Sequence, residues 1–421
     1  MAGFDAALAA ATAESWALMH RIGAATRGAV GITRPAYGAA EQHGAEATAV
    51  ALRAAGFEAA FDAFGNLHAL LAGTDATLPA VGLGSHFDSV PDGGNYDGLA
   101  GVMAGLAVLL AAQRVGMAPR RGLRLVGLRG EESPWFGTAY LGSRLALGLV
   151  PFATMGRLVR GDTGRTLADH MADLGFHGQE GAVLSGENLA CWLELHIEQG
   201  PLLIGRDVPI GIATAIRGNI RHAGAKCFGT WAHSAAVPRA FRHDAVVAVS
   251  ELVMAIDGFW SERIAQGDDN FVATVGIVAT RPDLHAMTKV AGEVAFTLNL
   301  GATDAAVLRQ AGEFARASIA AIEARRGVRF EIGADTGSQP TRLDAALIER
   351  LDMAAAALGL GRHHMPTVGH DAGMFAQAGI PAAMVLVRNQ NGSHNPEEAM
   401  EQHDYVAGVR VLARAALELA Q

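Results

Sequence analysis

Four short apolar runs constrain the fold of this chain most. They cover residues 80–85, 123–128, 189–195 and 382–387, and each leads directly into polar residues. Longer segments with helical spacing separate the first three runs, which is typical of an α/β layer structure with a mostly parallel sheet. Ligands of open α/β sheets gather beyond the carboxyl ends of the strands. We therefore expect the four polar strand ends to meet in one crevice.

The order of predicted elements changes further along the chain. Strands are expected near residues 221–230, 271–280 and 293–300, and helices are expected to begin near Arg242 and after Thr303. This order of strand, helix, strand, strand and helix predicts a small α+β domain inserted into the α/β layers.

The length of the chain is consistent with such a division. Its 421 residues are 50% hydrophobic, which is ample for a large core and for more than one domain. The expected parts are a first catalytic part over residues 1–211, an inserted domain over residues 212–325 and a second catalytic part over residues 326–421.

Composition excludes several classes of partner. A net charge of −9 and the absence of a Lys/Arg run argue against nucleic acid, and no stretch is long enough to span a membrane. The first 25 residues contain Asp5, Glu14 and Arg21, unlike the apolar core of a signal peptide, so a cytoplasmic protein is expected. Cys191 and Cys227 lack metal or redox spacing and are expected to be reduced thiols in or near the core.

The first strand end carries His86, Asp88 and Asp97 within a glycine-rich segment. An imidazole and a carboxylate are common metal ligands, and Asp88 can accept the second ring N–H of His86 and so fix its tautomer. The second strand end carries the adjacent acids Glu131 and Glu132. Since neighbouring residues at a strand exit point in different directions, one can bind metal while the other faces a water molecule.

The third strand end contains His196 and Gln199, and the fourth leads to His394. Taken singly, a histidine or a pair of acids is more often an ordinary polar surface feature than a ligand. The conjunction changes this interpretation, because four separate strand ends each supply a suitable ligand. Together they predict a metal site.

Several motifs resemble the M20 metallopeptidase clan over nearly the whole chain, and more narrowly its hydantoinase/carbamoylase branch. That branch holds N-carbamoyl-L-amino-acid hydrolases, allantoate amidohydrolases and β-ureidopropionases. The branch-specific element is His196 followed by Glu-Gln-Gly-Pro, because peptidase-like relatives generally have a carboxylate at that position. The other motifs are His86-x-Asp88, Gly94-x-x-Asp97-Gly98, Glu131-Glu132, His233 before Pro238 and Arg242-x-Asp244, Gly369-His370-Asp371-Ala372 and Gly392-Ser393-His394-x-Pro396.

The resemblance implies two divalent cations per chain. One would be held by His86, Asp97 and His196, and the other by Asp97, Glu132 and His394, so that Asp97 bridges cations about 3.5 to 4 Å apart. Zinc is the first expectation, with manganese, cobalt or nickel as alternatives, because imidazole and carboxylate ligands suit all four.

The resemblance also implies the catalytic roles. Glu131 would be the general base that takes a proton from water and returns it to the leaving nitrogen, and Asp88, beside His86, would be a further catalytic residue. His233 would stabilise the oxyanion, a contribution of roughly 3 kcal/mol, often from the partner subunit of a homodimer formed through the inserted lid domain. Gln199, Arg242 and His370 would contact the substrate.

One departure from the family pattern concerns the substrate carboxylate. Relatives bind it with an Asn and an Arg at positions where this chain has Thr288 and Gly301. Either another cation has taken over, with Arg217, Arg239 and Lys289 as candidates, or the substrate lacks the usual α-carboxylate.

The expected function is therefore hydrolysis of a carbamoyl or other linear amide bond of a small molecule. The alternative is an N-acyl or aryl amide hydrolase whose substrate lacks the α-carboxylate. A protein that binds a metabolite or metal without turnover would need a defect in the ligands or the base, and the sequence shows none.

Overall fold

The computed structural model describes residues 2–268 and 270–421, and it divides the chain into two compact units. The larger unit comprises Met1–Thr214 and Leu343–Gln421, and the smaller comprises Ala215–Arg342. The sequence predicts the inserted domain over residues 212–325. The smaller unit continues to Arg342 because residues 329–331 form a further strand of its sheet.

The elements are numbered in chain order. The helices are α1 (Ala2–Ala25), α2 (Ala39–Ala54), α3 (Leu99–Arg114), α4 (Leu141–Ala146), α5 (Phe152–Met155), α6 (Leu167–Asp173), α7 (Leu202–Gly205), α8 (Ala245–Ala265), α9 (Ala305–Arg326), α10 (Ala345–Ala357), α11 (Asp371–Gln377) and α12 (Gln402–Leu419). The strands are β1 (Ala59–Phe61), β2 (Leu67–Leu71), β3 (Ala80–His86), β4 (Leu123–Leu128), β5 (Leu189–Ile197), β6 (Ile210–Ile216), β7 (Gly218–Phe228), β8 (Ala232–His233), β9 (Val272–Thr274), β10 (Val278–Thr280), β11 (Lys289–Val290), β12 (Glu293–Ala302), β13 (Arg329–Glu331), β14 (Thr341–Arg342), β15 (Arg362–Thr367) and β16 (Ala382–Val387).

The larger unit is built on a sheet with the strand order β1-β2-β4-β3-β5-β16-β6, and β15 also pairs with β6. The four central strands β4, β3, β5 and β16 run parallel, whereas β2 and β6 are antiparallel to their central neighbours. The predicted α/β fold with a mostly parallel sheet is thus confirmed. The four apolar runs of the sequence are these central strands, which are buried on both faces as parallel strands usually are.

Helix α3 packs closely on the sheet and so determines where the loop before it lies. Residues 99–112 of this helix are all buried, and it packs on β3, β4, β5 and α1. A side chain at Gly101 would overlap the carbonyl oxygen of Leu195 in β5, so this glycine allows a close approach. The loop before α3 therefore lies directly at the ends of the central strands.

Alternate residues of β5 point to opposite faces of the sheet. Leu193, Leu195 and Ile197 join the large hydrophobic core that includes α3. On the other face, Trp192 stacks on Phe375 of α11 with ring centroids 4.0 Å apart.

The smaller unit has an antiparallel sheet with the order β10-β12-β7-β13, in which β9 also pairs with β12, and α8 and α9 share its core. The single strand expected over 271–280 is two strands here. The break lies where the register of β12 against β7 shifts beside Thr297, whose hydroxyl accepts the Ile277 N–H. A separate pair, β8 and β11, aligns His233 with Lys289. Among the described residues, no helix has the length and apolar character that crossing a bilayer requires.

Candidate metal centre

The structure brings the predicted ligands together at the carboxyl ends of the central strands. His86 ends β3, and His196 lies near the end of β5. Asp97 precedes α3, Glu132 follows β4, and His394 lies in the loop after β16. Residues from four strand ends therefore meet in one region of the larger unit.

Asp97 lies at the middle of this region. Its Oδ1 is 3.1 Å from His196 Nε2 and 3.4 Å from His86 Nε2, whereas its Oδ2 is 3.5 Å from His394 Nε2. His394 Nε2 is also 3.3 Å from Glu132 Oε1. Asp97 thus presents one oxygen to each of two groups of side chains, and within each group the candidate ligand atoms lie within 4.8 Å of one another.

The side chains of each group fit a divalent cation. Glu132 Oε1 is buried, and its contact with His394 Nε2 at 3.3 Å does not have the geometry of a hydrogen bond. A buried carboxylate oxygen without a hydrogen bond is costly, and a cation would remove that cost. The mixture of imidazole and carboxylate donors suits zinc, manganese, cobalt or nickel.

The electrostatics of the two groups are dominated by opposite charges at short range. Burial alone would raise the pKa of Asp97, but the neighbouring imidazoles of His196, His394 and His86 hold it well below its usual range. The contacts with Asp97 and Glu132 raise the pKa of His394 to about 11. Protons on the imidazoles therefore compete with a cation for these nitrogens.

Contacts at Nδ1 fix the orientation of two histidine rings. His86 Nδ1 lies 3.2 Å from Asp88 Oδ1, and His196 Nδ1 lies 3.0 Å from the carbonyl oxygen of Ile197. Each ring thereby turns its Nε2 toward Asp97, which is the arrangement that a metal ligand needs. Gly98 is required beside them, because its φ is +66° and a side chain there would overlap the His86 ring.

Asp88 also connects two strand ends. Its Oδ1 accepts the N–H of Glu131 at 2.9 Å, and its Oδ2 accepts the N–H of Glu132 at 3.0 Å. One carboxylate thus holds the ring of His86 and the backbone of both acids.

Glu131 is the candidate proton carrier. Its side chain is largely buried, and its Oε2 lies 3.9 Å from His86 Nε2. Burial raises the pKa of Glu131 well above its usual range, opposed by His86 and reinforced by Glu132, Asp371 and Asp88. A raised pKa brings a carboxylate closer to the range in which it can accept and return a proton near neutral pH.

Sequence reasoning missed Glu398, which connects the Asp97 loop to the His394 loop. Its Oε1 accepts the N–H groups of Tyr96 at 2.8 Å and Asp97 at 3.3 Å, and the Ser393 hydroxyl lies 2.6 Å from its Oε2. The same hydroxyl lies 2.6 Å from Asp97 Oδ2. Nothing in the local pattern Asn-Pro-Glu-Glu distinguishes Glu398 from an ordinary exposed acid.

Gln199, predicted as a substrate contact, touches the shared carboxylate of Asp97. Its side-chain amide donates to Asp97 Oδ2 at 2.7 Å, and its backbone N–H donates to Asn389 Oδ1 at 3.0 Å. Asn389 was also missed; its amide donates to the Gly392 carbonyl at 2.6 Å and so shapes the His394 loop. Glu198 of the same motif accepts the N–H groups of Leu202 and Leu203 at the start of α7.

His370 packs against the centre from the turn before α11. Its ring lies 4.2 Å from the ring of His196, and its Nε2 lies 2.9 Å from the Thr367 hydroxyl. Burial, then the nearby His196, lowers the pKa of His370 well below its usual value. His370 is therefore neutral and can donate or accept a hydrogen bond.

Two buried carboxylates, those of Glu41 and Glu194, hold the segments that carry the candidate ligands. Glu41 pairs with Arg129 at 2.7 Å and accepts the Gly130 N–H at 2.9 Å, so it holds the segment that leads into Glu131. Glu194 of β5 accepts the Ser85 hydroxyl at 2.7 Å and the Ala372 N–H at 2.8 Å. These contacts fix β3, β4, β5 and α11 relative to one another.

The remaining predicted residues lie in the smaller unit. His233 is exposed, and its Nδ1 accepts the N–H groups of Ala235 and Ala236, both at 3.2 Å. An Nδ1 that accepts leaves the proton on Nε2, so this imidazole presents an N–H donor. Arg242 donates to the carbonyls of Val237, at 2.8 Å, and Ser234, and thus holds the His233 loop.

Two further arginines were candidates for a substrate carboxylate. Arg217 donates through Nε to the Asn270 carbonyl at 3.0 Å. Arg239 is exposed in a 3₁₀ turn over Arg239–Phe241.

The two positions that depart from the family pattern are also in this unit. Gly301 lies in β12 between β7 and β9, and a Cβ there would come within 2.8 Å of Val272 Cγ2. The Thr288 carbonyl accepts the Ser234 N–H at 2.9 Å.

Comparison with known proteins agrees with this geometry. Residues 82–418 match peptidase family M20/M25/M40. An N-carbamoyl-L-amino-acid amidohydrolase from Paenarthrobacter aurescens is 32% identical over 388 residues, covering 91% of this chain and 92% of the relative. An allantoate amidohydrolase from Escherichia coli is 31% identical over 372 residues, covering 88% of each chain. The crystal structure of a hydantoinase/carbamoylase family amidase from Burkholderia multivorans is similar with a TM-score of 0.90 and 27% identity, over 97% of this chain and 98% of that one.

The chain belongs to peptidase family M20/M25/M40. Within that family its relatives are hydantoinase/carbamoylase amidases, as the motifs predicted. The predicted enzyme class, a hydrolase of C–N bonds other than peptide bonds, is confirmed at the level of the family.

Proposed function

We propose that this protein is a dinuclear metal-dependent amidohydrolase that cleaves a carbamoyl or other linear amide C–N bond of a small molecule. The observation that carries the proposal is the position of Asp97, whose two carboxylate oxygens face two separate groups of ligands. The relatives, an N-carbamoyl-L-amino-acid amidohydrolase and an allantoate amidohydrolase, support the substrate class.

Five side chains would hold the two cations: His86, Asp97 and His196 on one side, and Asp97, Glu132 and His394 on the other. When bound, the cations would polarise the scissile carbonyl and lower the pKa of a water molecule. Zinc is the first choice, and manganese, cobalt and nickel fit the same donors.

Glu131 performs the proton transfers in this proposal. Its carboxylate takes a proton from the attacking water and returns it to the nitrogen that leaves. Asp88 keeps Glu131 in position through the 2.9 Å hydrogen bond from the Glu131 N–H, while it orients the ring of His86. Loss of either carboxylate would therefore slow the chemical step.

His233 supplies the donor for the oxygen that becomes negative in the tetrahedral intermediate. The support is its Nε2–H, which follows from the two hydrogen bonds that its Nδ1 accepts. We further propose a homodimer through the smaller unit. The support for it is the edge strand β10 with the exposed Val278, together with Met254 of α8, which is 65% exposed.

The substrate contacts in the proposal are Gln199, His370, Arg217, Arg239 and Arg242. Gly301 favours a second candidate function, an N-acyl or aryl amide hydrolase whose substrate lacks an α-carboxylate. A guanidinium at this position would have to displace Val272, because a Cβ there already comes within 2.8 Å of Val272 Cγ2. Ordinary N-carbamoyl-L-α-amino acids are then poor substrates, unless Arg217 or Arg239 supplies the missing cation.

The test is ammonia or amine release from matched N-carbamoyl, N-acyl and aryl amides, with the protein loaded in turn with zinc, manganese, cobalt and nickel. Each carboxylate-bearing substrate is paired with its uncharged amide or ester. We expect turnover to disappear when the metal is chelated and in Glu131→Gln. Turnover should persist in the exposed control Glu58→Gln. Metal-loaded Glu131→Gln that keeps most of its kcat would contradict the proposed base.

A further inference from the structure

Tyr140 has an unusual backbone conformation directly beside Glu131. Its φ and ψ are +64° and +39°, a left-handed conformation that is rare and strained for a bulky residue. Three hydrogen bonds hold it there: Tyr140 N–H to Glu131 O at 2.9 Å, Leu141 N–H to Gly130 O at 2.8 Å, and Gly142 N–H to Arg129 O at 2.8 Å. The segment after the candidate base thus folds back along it. Such strain persists where the surroundings enforce it, often at functional sites.

The side chain of Tyr140 extends toward a second segment of the centre. A Cβ at Gly369 would overlap the Tyr140 hydroxyl oxygen, so the hydroxyl lies against the backbone of this glycine. Gly369 immediately precedes His370, whose buried ring packs on His196. The phenol therefore bridges the Glu131 segment and the His370 turn.

Tyr140 is more exposed than the residues that it connects. Glu131 and His370 are buried, whereas Tyr140 and Gly369 are partly exposed and Val368 is 47% exposed. Tyr140 thus offers a partly exposed side chain beside two buried segments of the larger unit's centre.

The chemistry of the phenol limits what it can recognise. Its hydroxyl is a neutral group that both donates and accepts, so it suits an amide or ureido group and cannot replace a guanidinium at a carboxylate. We propose that Tyr140 is a specificity-determining residue whose hydroxyl hydrogen-bonds a neutral amide or ureido group adjacent to the scissile bond. This inference rests on the proposed amidohydrolase function and adds a recognition element in the larger unit.

The experiment compares Tyr140→Phe with the matched control Tyr37→Phe. Tyr37 is also left-handed, with a φ of +54°, but it is wholly buried and its hydroxyl has no hydrogen-bond partner among the described residues. Both variants keep the ring and lose only the hydroxyl. Substrates are used in pairs, one with an amide or ureido group next to the scissile bond and one with a methylene in its place.

Tyr140→Phe should lose about tenfold in kcat/KM, mainly through KM, on the substrate with the neutral polar group, since about 1.4 kcal/mol corresponds to tenfold. Its kcat/KM on the methylene analogue and its metal content should match the wild type. Tyr37→Phe should match the wild type on both substrates.

The possible failures are distinguishable. If the wild type turns over these substrates and Tyr140→Phe keeps the same ratio of kcat/KM for the two, the role of Tyr140 is overturned and the amidohydrolase proposal stands. If the metal-loaded wild type neither turns over nor binds any compound of the panel, the proposed function falls, and the role of Tyr140 falls with it.

Discussion

The candidate metal centre and the His233 loop differ in how their side chains are held. At the centre, His86, Asp97 and His196 are almost fully buried, and each has partners that determine its orientation. His233 is exposed, and its loop is held by contacts with backbone carbonyls and N–H groups. Buried charges without partners are costly, so the identities of the centre's residues are strongly constrained. An exposed loop tolerates replacement, which is consistent with the departure from the family pattern at the exposed Thr288. Gly301, the other departure, is buried in β12.

The first way to test this comparison is to remove the smaller unit's donor. His233→Ala should lower kcat by about 100-fold, because a preorganised donor to the oxyanion contributes about that much, and should leave metal content unchanged. The matched control is His243→Ala, which removes another exposed histidine of the same unit that contacts backbone, the Arg326 carbonyl at 2.9 Å. Loss of metal in His233→Ala would show that His233 is not separate from the candidate metal centre.

The same variant tests the homodimer. If His233 acts on the partner subunit, a mixture of His233→Ala and Glu131→Gln chains should regain part of the activity, because hybrid dimers contain one complete site. Subunit exchange is monitored separately by mass spectrometry of the mixed dimers. Exchange without recovered activity would mean that His233 acts within its own chain.

The second way is to disturb the centre without touching a ligand. Glu398→Gln should weaken metal affinity by about 10-fold to 100-fold, a typical effect for a residue that positions ligands. Its carboxylate accepts the Asp97 N–H and contacts the Ser393 hydroxyl, so its loss loosens two loops at once. Glu397→Gln, an exposed neighbour, is the matched control. Wild-type metal affinity in Glu398→Gln would show that the loops are held without it.

The residues that connect distant loops are those that sequence reasoning could not identify. The central strands were predictable because each is a continuous buried apolar run, and their ends bring His86, Glu132 and His196 together. Glu398 contacts Asp97 across 301 residues of sequence, and no local pattern reports such a pair. The conformation of Tyr140 was hidden for the same reason, because the partners that enforce it include residues from 129 to 131 and the turn at Gly369.

The smaller unit shows a second limit of sequence patterns. An apolar stretch over 271–280 has the composition of one strand, but the irregular register of β12 at Thr297 divides it into two. The C-terminal boundary of this unit could not be predicted either. The pattern of the insert ends with helix α9, whereas the short strand β13 after it still pairs with β7.

A smaller effect should appear in the pH dependence of metal binding. The pKa of His394 is raised to about 11 by Asp97 and Glu132, so its imidazole is protonated at neutral pH before a cation binds. Binding releases that proton, and metal affinity should therefore rise by up to about tenfold per pH unit between about pH 6 and pH 9. Competition with a chelator measures this slope, and His394→Ala should reduce it. Affinity that falls as the pH rises would contradict the assignment of His394 as a ligand.

The most direct test of the account is the number and position of cations bound per chain. Protein saturated with zinc, and separately with manganese, is analysed for metal content and by anomalous diffraction from crystals. We expect two cations per chain on either side of Asp97, one beside His86 and His196 and the other beside Glu132 and His394. A single cation that persists at saturating metal, with Glu132 and His394 uncoordinated, would contradict the central claim.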